Sequence, residues 1–230
     1  MSSLAAGKSL DFYPPFFLCT VEYMNTMTVI LANGLFPSHP APLESLHTAA
    51  RVVCCDGAAN ALVDHSEFLP VAVVGDGDSL SEPARKKFSG CLVTSACQET
   101  NDLTKAFRFC MEQGWKDIVI LGGTGKREDH TLGNLSLLAD FSREASVQMM
   151  TDACIITPVS EATILPSYEG QPVSFVACDP GVRLTVDGVR YPVQDLVLTR
   201  WSTATLNVAT GEQIRVHPVH GVVLVMQAYA

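Results

Sequence analysis

Between positions 28 and 150 the chain repeats one unit. A short apolar run is followed by a stop built from Gly, Asp or Asn, and then by a stretch of helix-forming residues. The apolar runs lie at 28–32, 51–55, 71–74, 91–94, 117–121 and 147–150, with another at 154–157. They are too short for helices, and their bounding turn residues suit buried strands. The pieces between them, 43–50, 58–64, 82–88, 102–113 and 132–141, read as helices. In the piece at 102–113, Leu103, Ala106, Phe107 and Cys110 fall on one face and Gly114 ends the segment. Strand and helix alternating at this spacing predict βαβ units and a mostly parallel sheet. The strand-to-helix junctions of such a sheet share one edge, so motifs far apart in the chain converge there.

Beyond about Ile155 the pattern changes. Runs at 162–165, 173–177, 181–186, 196–199, 205–208, 213–217 and 222–226 are separated by Gly, Pro or Asp turns, with no helical piece among them. This predicts a small antiparallel β-sandwich or barrel. The expected fold class is therefore α/β: an N-terminal mostly parallel sheet flanked by helices, followed by a C-terminal antiparallel β-sandwich. The expected organisation is an extension outside the fold over residues 1–26, an α/β domain over 27–157 and the sandwich over 158–230. Met24 and Met27 are both candidate starts.

Composition narrows the function classes. Hydrophobic residues at 47% and charged residues at 17% exclude a disordered chain. A net charge of -9, with no Lys/Arg cluster, argues against a nucleic-acid binder. An anionic substrate would need local help from a metal or an arginine. No stretch approaches the ~20 apolar residues of a membrane span. The apolar piece Phe16–Cys19 is short and lacks a cleavage site, so it does not read as a signal peptide. The eight cysteines, Cys19, Cys54, Cys55, Cys91, Cys97, Cys110, Cys154 and Cys178, form no CxxC pair. They read as reduced core residues, which implies a cytoplasmic setting.

Four junctions carry chemistry. Val71–Ser79 ends in Asp76-Gly77-Asp78, two carboxylates at i and i+2 of an extended segment and hence on one side. Hard oxygen ligands of this kind suit Mg²⁺, and a polar turn ending a strand is the competing reading. Asp56-Gly57-Ala58-Ala59-Asn60 allows a backbone to approach a ligand closely, or simply makes a tight turn. Gln98-Glu99-Thr100-Asn101-Asp102-Leu103-Thr104-Lys105 opens a helix. Asp102 is there either a cap residue or a third oxygen ligand, with Thr104 and Lys105 able to address phosphate. Gly122-Gly123-Thr124-Gly125-Lys126-Arg127-Glu128-Asp129-His130-Thr131, followed by Asn134, offers free amides and an arginine fork to an anion. It is neither a Walker loop nor a GxGxxG fingerprint.

In this order the four segments resemble the thiamine pyrophosphokinase (thiamine diphosphokinase) family. That family shows an Asp-Gly-Ala turn, a Gly-Asp-x-Asp-Ser segment, an Asn/Thr-Asp-x-x-Lys helix start and a Gly-Gly…Arg-x-Asp-His loop. Here they stand at 56–58, 75–79, 101–105 and 122–130. Asp187–Val193 is similar to the family's Gly-Leu-Lys-Tyr/Trp-Pro-Leu segment, and Leu198–Thr203 to its Ser-Thr stretch. The chain departs from the pattern at Gly77, where the family often has Phe. It departs again at Leu206-Asn207, where the family has Ser-Asn.

The resemblance implies transfer of the pyrophosphoryl group of ATP to the hydroxyl of thiamine, giving thiamine diphosphate and AMP. It implies Mg²⁺ on Asp76, Asp78 and Asp102, with Arg127 as a fourth catalytic residue. It places ATP near Asp56, Gly57, Gln98, Thr104, Lys105, Gly123, Arg127, Asp129, His130 and Asn134. It places thiamine near Trp201, Ser202, Thr203 and Asn207, in a site shared between the subunits of a homodimer. Two rival readings are a non-catalytic thiamine or nucleotide sensor and a pyrophosphokinase acting on another alcohol.

Overall fold

The computed structural model describes residues 26–65, 67–95 and 99–230. Residues 1–25 of the expected extension, together with Cys97 and Gln98, lie outside the described residues. Strands β1 (Thr28–Leu31), β2 (Arg51–Cys55), β3 (Ala72–Gly75), β4 (Leu92–Thr94), β5 (Asp117–Leu121) and β6 (Ser146–Met150) pair in parallel in the order β4-β3-β2-β1-β5-β6. Every residue of β1 is buried, as is every residue of β3. Strands covered on both faces need this continuous apolar character.

The covering elements are helices α1 (Pro40–Thr48), α2 (Glu82–Lys87), α3 (Asp102–Glu112) and α4 (Glu128–Phe141), plus a 3₁₀ segment Asp56–Leu62. Alternate strand residues point to opposite faces. On one face Ile30, Val53, Val74 and Ile120 meet Phe107 of α3 and Phe141 of α4, whose rings stack at a centroid distance of 3.9 Å. On the other, Val29, Leu31, Val52 and Val73 meet Leu46 of α1 and Leu62 of the 3₁₀ segment.

The remaining strands are β7 (Cys154–Val159), β8 (Thr163–Pro166), β9 (Pro172–Ala177), β10 (Arg183–Asp187), β11 (Val193–Val197), β12 (Ala204–Val208), β13 (Gln213–Val219) and β14 (Val223–Ala228). β7 joins β6 antiparallel, and β14, β9 and β12 follow in turn, so the parallel sheet grows into a single ten-stranded sheet. Strands β11-β10-β13-β8 form a second, antiparallel sheet. Val173, Phe175, Val223 and Val225 pack against Leu184, Val186, Ile214 and Val216 of that sheet, giving the sandwich core. The fold is thus mixed α/β, with a parallel-dominated sheet, flanking helices and a C-terminal antiparallel layer. The Thr157–Pro158 point expected to divide the chain falls inside β7, where Pro158 pairs in register with Leu224.

Among the described residues Cys54, Cys55, Cys91, Cys110, Cys154 and Cys178 are free thiols. Burial pushes the Cys110 thiol up to about 12 and the Cys178 thiol up to about 11. Both therefore behave as small apolar residues rather than nucleophiles. No helix of the described residues is long and apolar enough to cross a membrane.

Candidate active site

The strand order reverses at β1: β2, β3 and β4 are added on one side, and β5 returns to the other. Ligands of open α/β sheets sit beyond the carboxyl ends of the strands at such a reversal. Here β1 runs into Asn33-Gly34 and β5 into Gly122-Gly123. The Gly34 amide donates to the Gly122 carbonyl at 2.7 Å, and the Leu35 amide to the Thr124 carbonyl at 2.7 Å. A side chain at Gly34 would place its Cβ 2.2 Å from the Gly122 oxygen, so only glycine allows the two loops to touch.

Around this contact opens a cleft of about 480 Å³, walled by the loops after β1, β3 and β5 and by the first turns of α3 and α4. Asp76 follows β3 and Asp102 opens α3; both line it. Lys105, whose side chain is only 6% exposed, holds Asp102 through Nζ–Oδ1 at 3.0 Å. Asp56 lies behind them, fully buried. Its Oδ2 accepts from the Ser79 amide at 3.0 Å, while its Oδ1 has no hydrogen-bond partner. Burial pushes the Asp56 carboxyl up; the Ser79 amide opposes this, and the charges of Asp102 and Asp76 add to it. The Asp76 carboxyl is held down, first by the Asp78 amide, which donates to its Oδ1 at 3.1 Å, and also by Lys105. Gly75 makes this packing possible, since a Cβ there would meet the Asp56 Cβ at 2.5 Å.

The opposite wall is cationic and amide-rich. Arg127, His130, Thr131 and Asn134 all line the cleft. Their spacing of three, four and seven residues puts them on one stripe of α4 and its entry. This helix begins at Glu128, four residues before the apolar period predicts, so His130 and Thr131 stand in its first turn. The Arg127 fork is engaged by Asp129, with Nε–Oδ1 at 3.1 Å and Nη2–Oδ2 at 2.5 Å. Asn134 donates to the Gly123 carbonyl at 2.8 Å, bracing the glycine loop.

Of the expected nucleotide residues, Lys105, Gly123, Arg127, His130 and Asn134 meet in the cleft, together with Asp76 and Asp102 of the expected metal set. Asp129 reaches it only through Arg127. Gly57 lines an adjoining hollow of about 230 Å³. Thr104, whose amide is capped by Asn101 Oδ1 at 2.9 Å, is not on the wall, and neither is the exposed Asp78. Asn33 escapes motif reading; Lys126, which the glycine-rich segment includes without a role of its own, donates to Asn33 Oδ1 at 3.0 Å on the same wall. Asn33 follows the strand at which the order reverses, so the sheet order, not a motif, marks it.

Trp201, Ser202 and Thr203 lie exposed in the connection between β11 and β12 and do not line this cleft. Asn207 is buried, and its amide is occupied. Oδ1 accepts from the Tyr191 and Val208 amides at 3.1 and 2.9 Å, and Nδ2 donates to the Tyr191 carbonyl at 2.8 Å. Its visible task is to hold the segment before β11 against β12.

Among the described residues no three His, Cys, Asp or Glu side chains converge as a ready cation cage. A magnesium ion does not require one: one or two carboxylates suffice when water and phosphate complete its shell. Asp76 and Asp102 supply hard oxygens on one wall, and the unpartnered buried Oδ1 of Asp56 adds another behind them. The donor set fits such an ion.

Carboxylates on one wall, amides and cations on the other, at the reversal point of a parallel sheet, make a cleft whose chemistry suits a phosphate-bearing ligand, in an α/β unit joined to a β-sandwich. Residues 43–151 match the sequence profile of "Thiamin pyrophosphokinase, catalytic domain". The chain is 27% identical over 220 residues to thiamine pyrophosphokinase 1 of Oryza sativa subsp. japonica, covering 82% of each chain. It is 27% identical over 155 residues to thiamine pyrophosphokinase of Bacillus subtilis, covering 61% of this chain and 69% of that one. Its fold superposes on the Bacillus subtilis thiamine pyrophosphokinase crystal structure with a TM-score of 0.74 at 21% identity, covering 88% and 98% of the two chains. The thiamin pyrophosphokinase from Candida albicans gives a TM-score of 0.77 at 15% identity, covering 99% and 96%. Over these residues the chain is similar to the thiamin pyrophosphokinase family.

Proposed function

We propose that the protein is a thiamine diphosphokinase: it transfers the pyrophosphoryl group of ATP to the thiamine hydroxyl, giving thiamine diphosphate and AMP. The observation that carries this reading is the pairing, across one cleft, of the Asp76/Asp102 wall with the Lys126/Arg127 wall and the start of α4. The thiamine oxygen bonds to the β-phosphorus, the bridge from that phosphorus to the α-phosphate breaks, and AMP leaves with the bridging oxygen. Pyrophosphoryl transfer of this kind depends on positioning and charge neutralisation more than on covalent help from the protein.

Asp76 and Asp102, with Asp78 beside them, are the residues that would hold Mg²⁺. When bound, the ion supplies charge neutralisation on the polyphosphate. Lys105 fixes the Asp102 carboxylate, and either Asp102 or Asp76 takes the hydroxyl proton. Arg127, presented by Asp129, meets charge building on the leaving phosphate. The Gly123 loop, braced by Asn134, and the amides opening α4 cradle the phosphates, with His130 at the nucleotide's margin.

We assign thiamine to Trp201, Ser202 and Thr203, with Asn207 shaping their surroundings. An aromatic face suits the cationic thiazolium ring. Because these residues stand away from the cleft of their own chain, they would serve the cleft of a second copy. The exposed Tyr191, Trp201 and Leu206 support a covered face there, Leu206 being 86% exposed.

The test is incubation with ATP, thiamine and Mg²⁺, followed by nucleotide analysis. AMP with thiamine diphosphate is the expected outcome. ADP would identify an ordinary kinase, and unchanged ATP under binding conditions would identify a sensor; either would overturn the reading.

A further inference from the structure

The carboxylate loop is held in place by two side chains outside the cleft. Asn60, on the 3₁₀ segment, uses both ends of its amide: Nδ2 donates to the Ser79 carbonyl at 2.8 Å, and Oδ1 accepts from the Ser81 amide at 2.8 Å. Arg85, on α2, donates from Nη2 to the Gly77 carbonyl. Gly77 sits at φ 84°, a backbone state that strains any residue with a Cβ, and a Cβ there would stand 3.3 Å from the Arg85 guanidinium. Neither Asn60 nor Arg85 lines the main cleft. The Asp76-Gly77-Asp78 turn is therefore gripped from the 3₁₀ segment on one side and from α2 on the other.

We propose that Asn60 and Arg85 are positioning residues for this turn, and that they set its affinity for a divalent cation. The guanidinium occupies the ground over Gly77 that a side chain there would fill. This role rests on the turn's being the cation anchor of the proposed function. Without the Arg85 donor, the Gly77 carbonyl is released to solvent and the turn samples other conformations. Fewer of those conformations present Asp76 correctly, and cation affinity falls by the fraction lost.

Two readouts test this. The first is hydrogen exchange of the amides at 77–81 without metal or nucleotide; the second is the Mg²⁺ concentration giving half-maximal AMP formation. Arg85→Ala should speed exchange across 77–81 and raise the half-saturating Mg²⁺ about tenfold, the scale of one lost charge-assisted hydrogen bond. At saturating Mg²⁺, kcat should stay within about threefold. Arg85→Lys, which keeps a donor, should restore part of the loss. Asn60→Asp, which keeps the acceptor for Ser81 but not the donor to Ser79, should fall between wild type and Asn60→Ala. Unchanged exchange in Arg85→Ala would overturn the proposal, as would a fall in kcat with no change in Mg²⁺ dependence. If wild type forms no AMP yet Arg85→Ala still exchanges faster, the enzymatic reading fails while the clamp itself is supported.

Discussion

Asp76 and Asp56 are neighbouring carboxylates pushed in opposite directions. The Asp78 amide and, further down, the Lys105 ammonium hold the Asp76 carboxyl below the usual range, whereas burial pushes the Asp56 carboxyl above it. Asp76→Asn keeps the shape of the turn and removes one anionic oxygen. It should lower kcat by about 10²-fold or more while the melting temperature stays close to wild type, since a transition-state contact is lost without a core change. Near-normal turnover in a folded variant would remove Asp76 from the site. Asp152 gives a second prediction. Partial burial raises its carboxyl, but hydrogen bonds from the Ser38 hydroxyl and the Ser38 and His39 amides outweigh this and leave it below the ordinary 3.8. A depressed carboxyl stabilises the fold above its unfolded value and loses that contribution as pH falls through the folded one. The melting-temperature gap between wild type and Asp152→Asn should thus be widest near neutrality and close below about pH 4. A gap independent of pH would contradict the assignment. At this scale the meeting of Asp76, Asp102 and Arg127 at one cleft was legible because their types and spacing carry chemistry. The hydrogen bonds of Asn207 were not, because its partner Tyr191 lies sixteen positions away and only the folded β12 edge brings them together.

Elements were legible where turn residues bounded them. β2 and β5 run over the same positions as their apolar runs, because Asp56 follows one and Gly122 the other. The start of α4 was missed because Glu128–Thr131 carries no apolar period and Arg127, at the cap position, makes no side-chain cap bond. α1 begins at Pro40, three residues earlier than expected; proline reads as a breaker in sequence but fits the first turn of a helix. Residues 56–62 wind as a 3₁₀ segment, not as the expected helix. The element-scale prediction concerns the contact between the ends of β1 and β5. Gly34→Ala must push apart loops that share backbone hydrogen bonds, so it should destabilise by about 1–3 kcal/mol. It should also raise the KM for ATP, because the cleft wall moves. Denaturant unfolding and steady-state kinetics read the two effects, and an unaffected KM would mean the contact is structural alone.

For the whole molecule, fold class was legible and sheet continuity was not. The change from helix-bearing units to short strands was visible, but period and turns do not reveal that β6 passes its edge to β7, and β7 passes its own to β14. The proposed two-copy site belongs to this scale. Asp76→Asn and Trp201→Ala chains, each inactive alone, should regain activity when mixed under subunit exchange, with at most about one site in two restored, as expected for a two-fold symmetric pair. No recovery, together with a monomer by sedimentation, would confine the site to one chain.

The position of β14 has a consequence for how the molecule is made. Residues 223–228 insert between β7 and β9, in the interior of the ten-stranded sheet, although every other strand of that sheet precedes them in the chain. During translation the parallel half can pair as it leaves the ribosome. β7 and β9, however, must wait with bare edges for a neighbour still being synthesised. Those edges are open templates for pairing with other nascent chains. Success of expression should therefore depend on chaperones guarding the gap between β7 and β9 until residues 223–228 fill it.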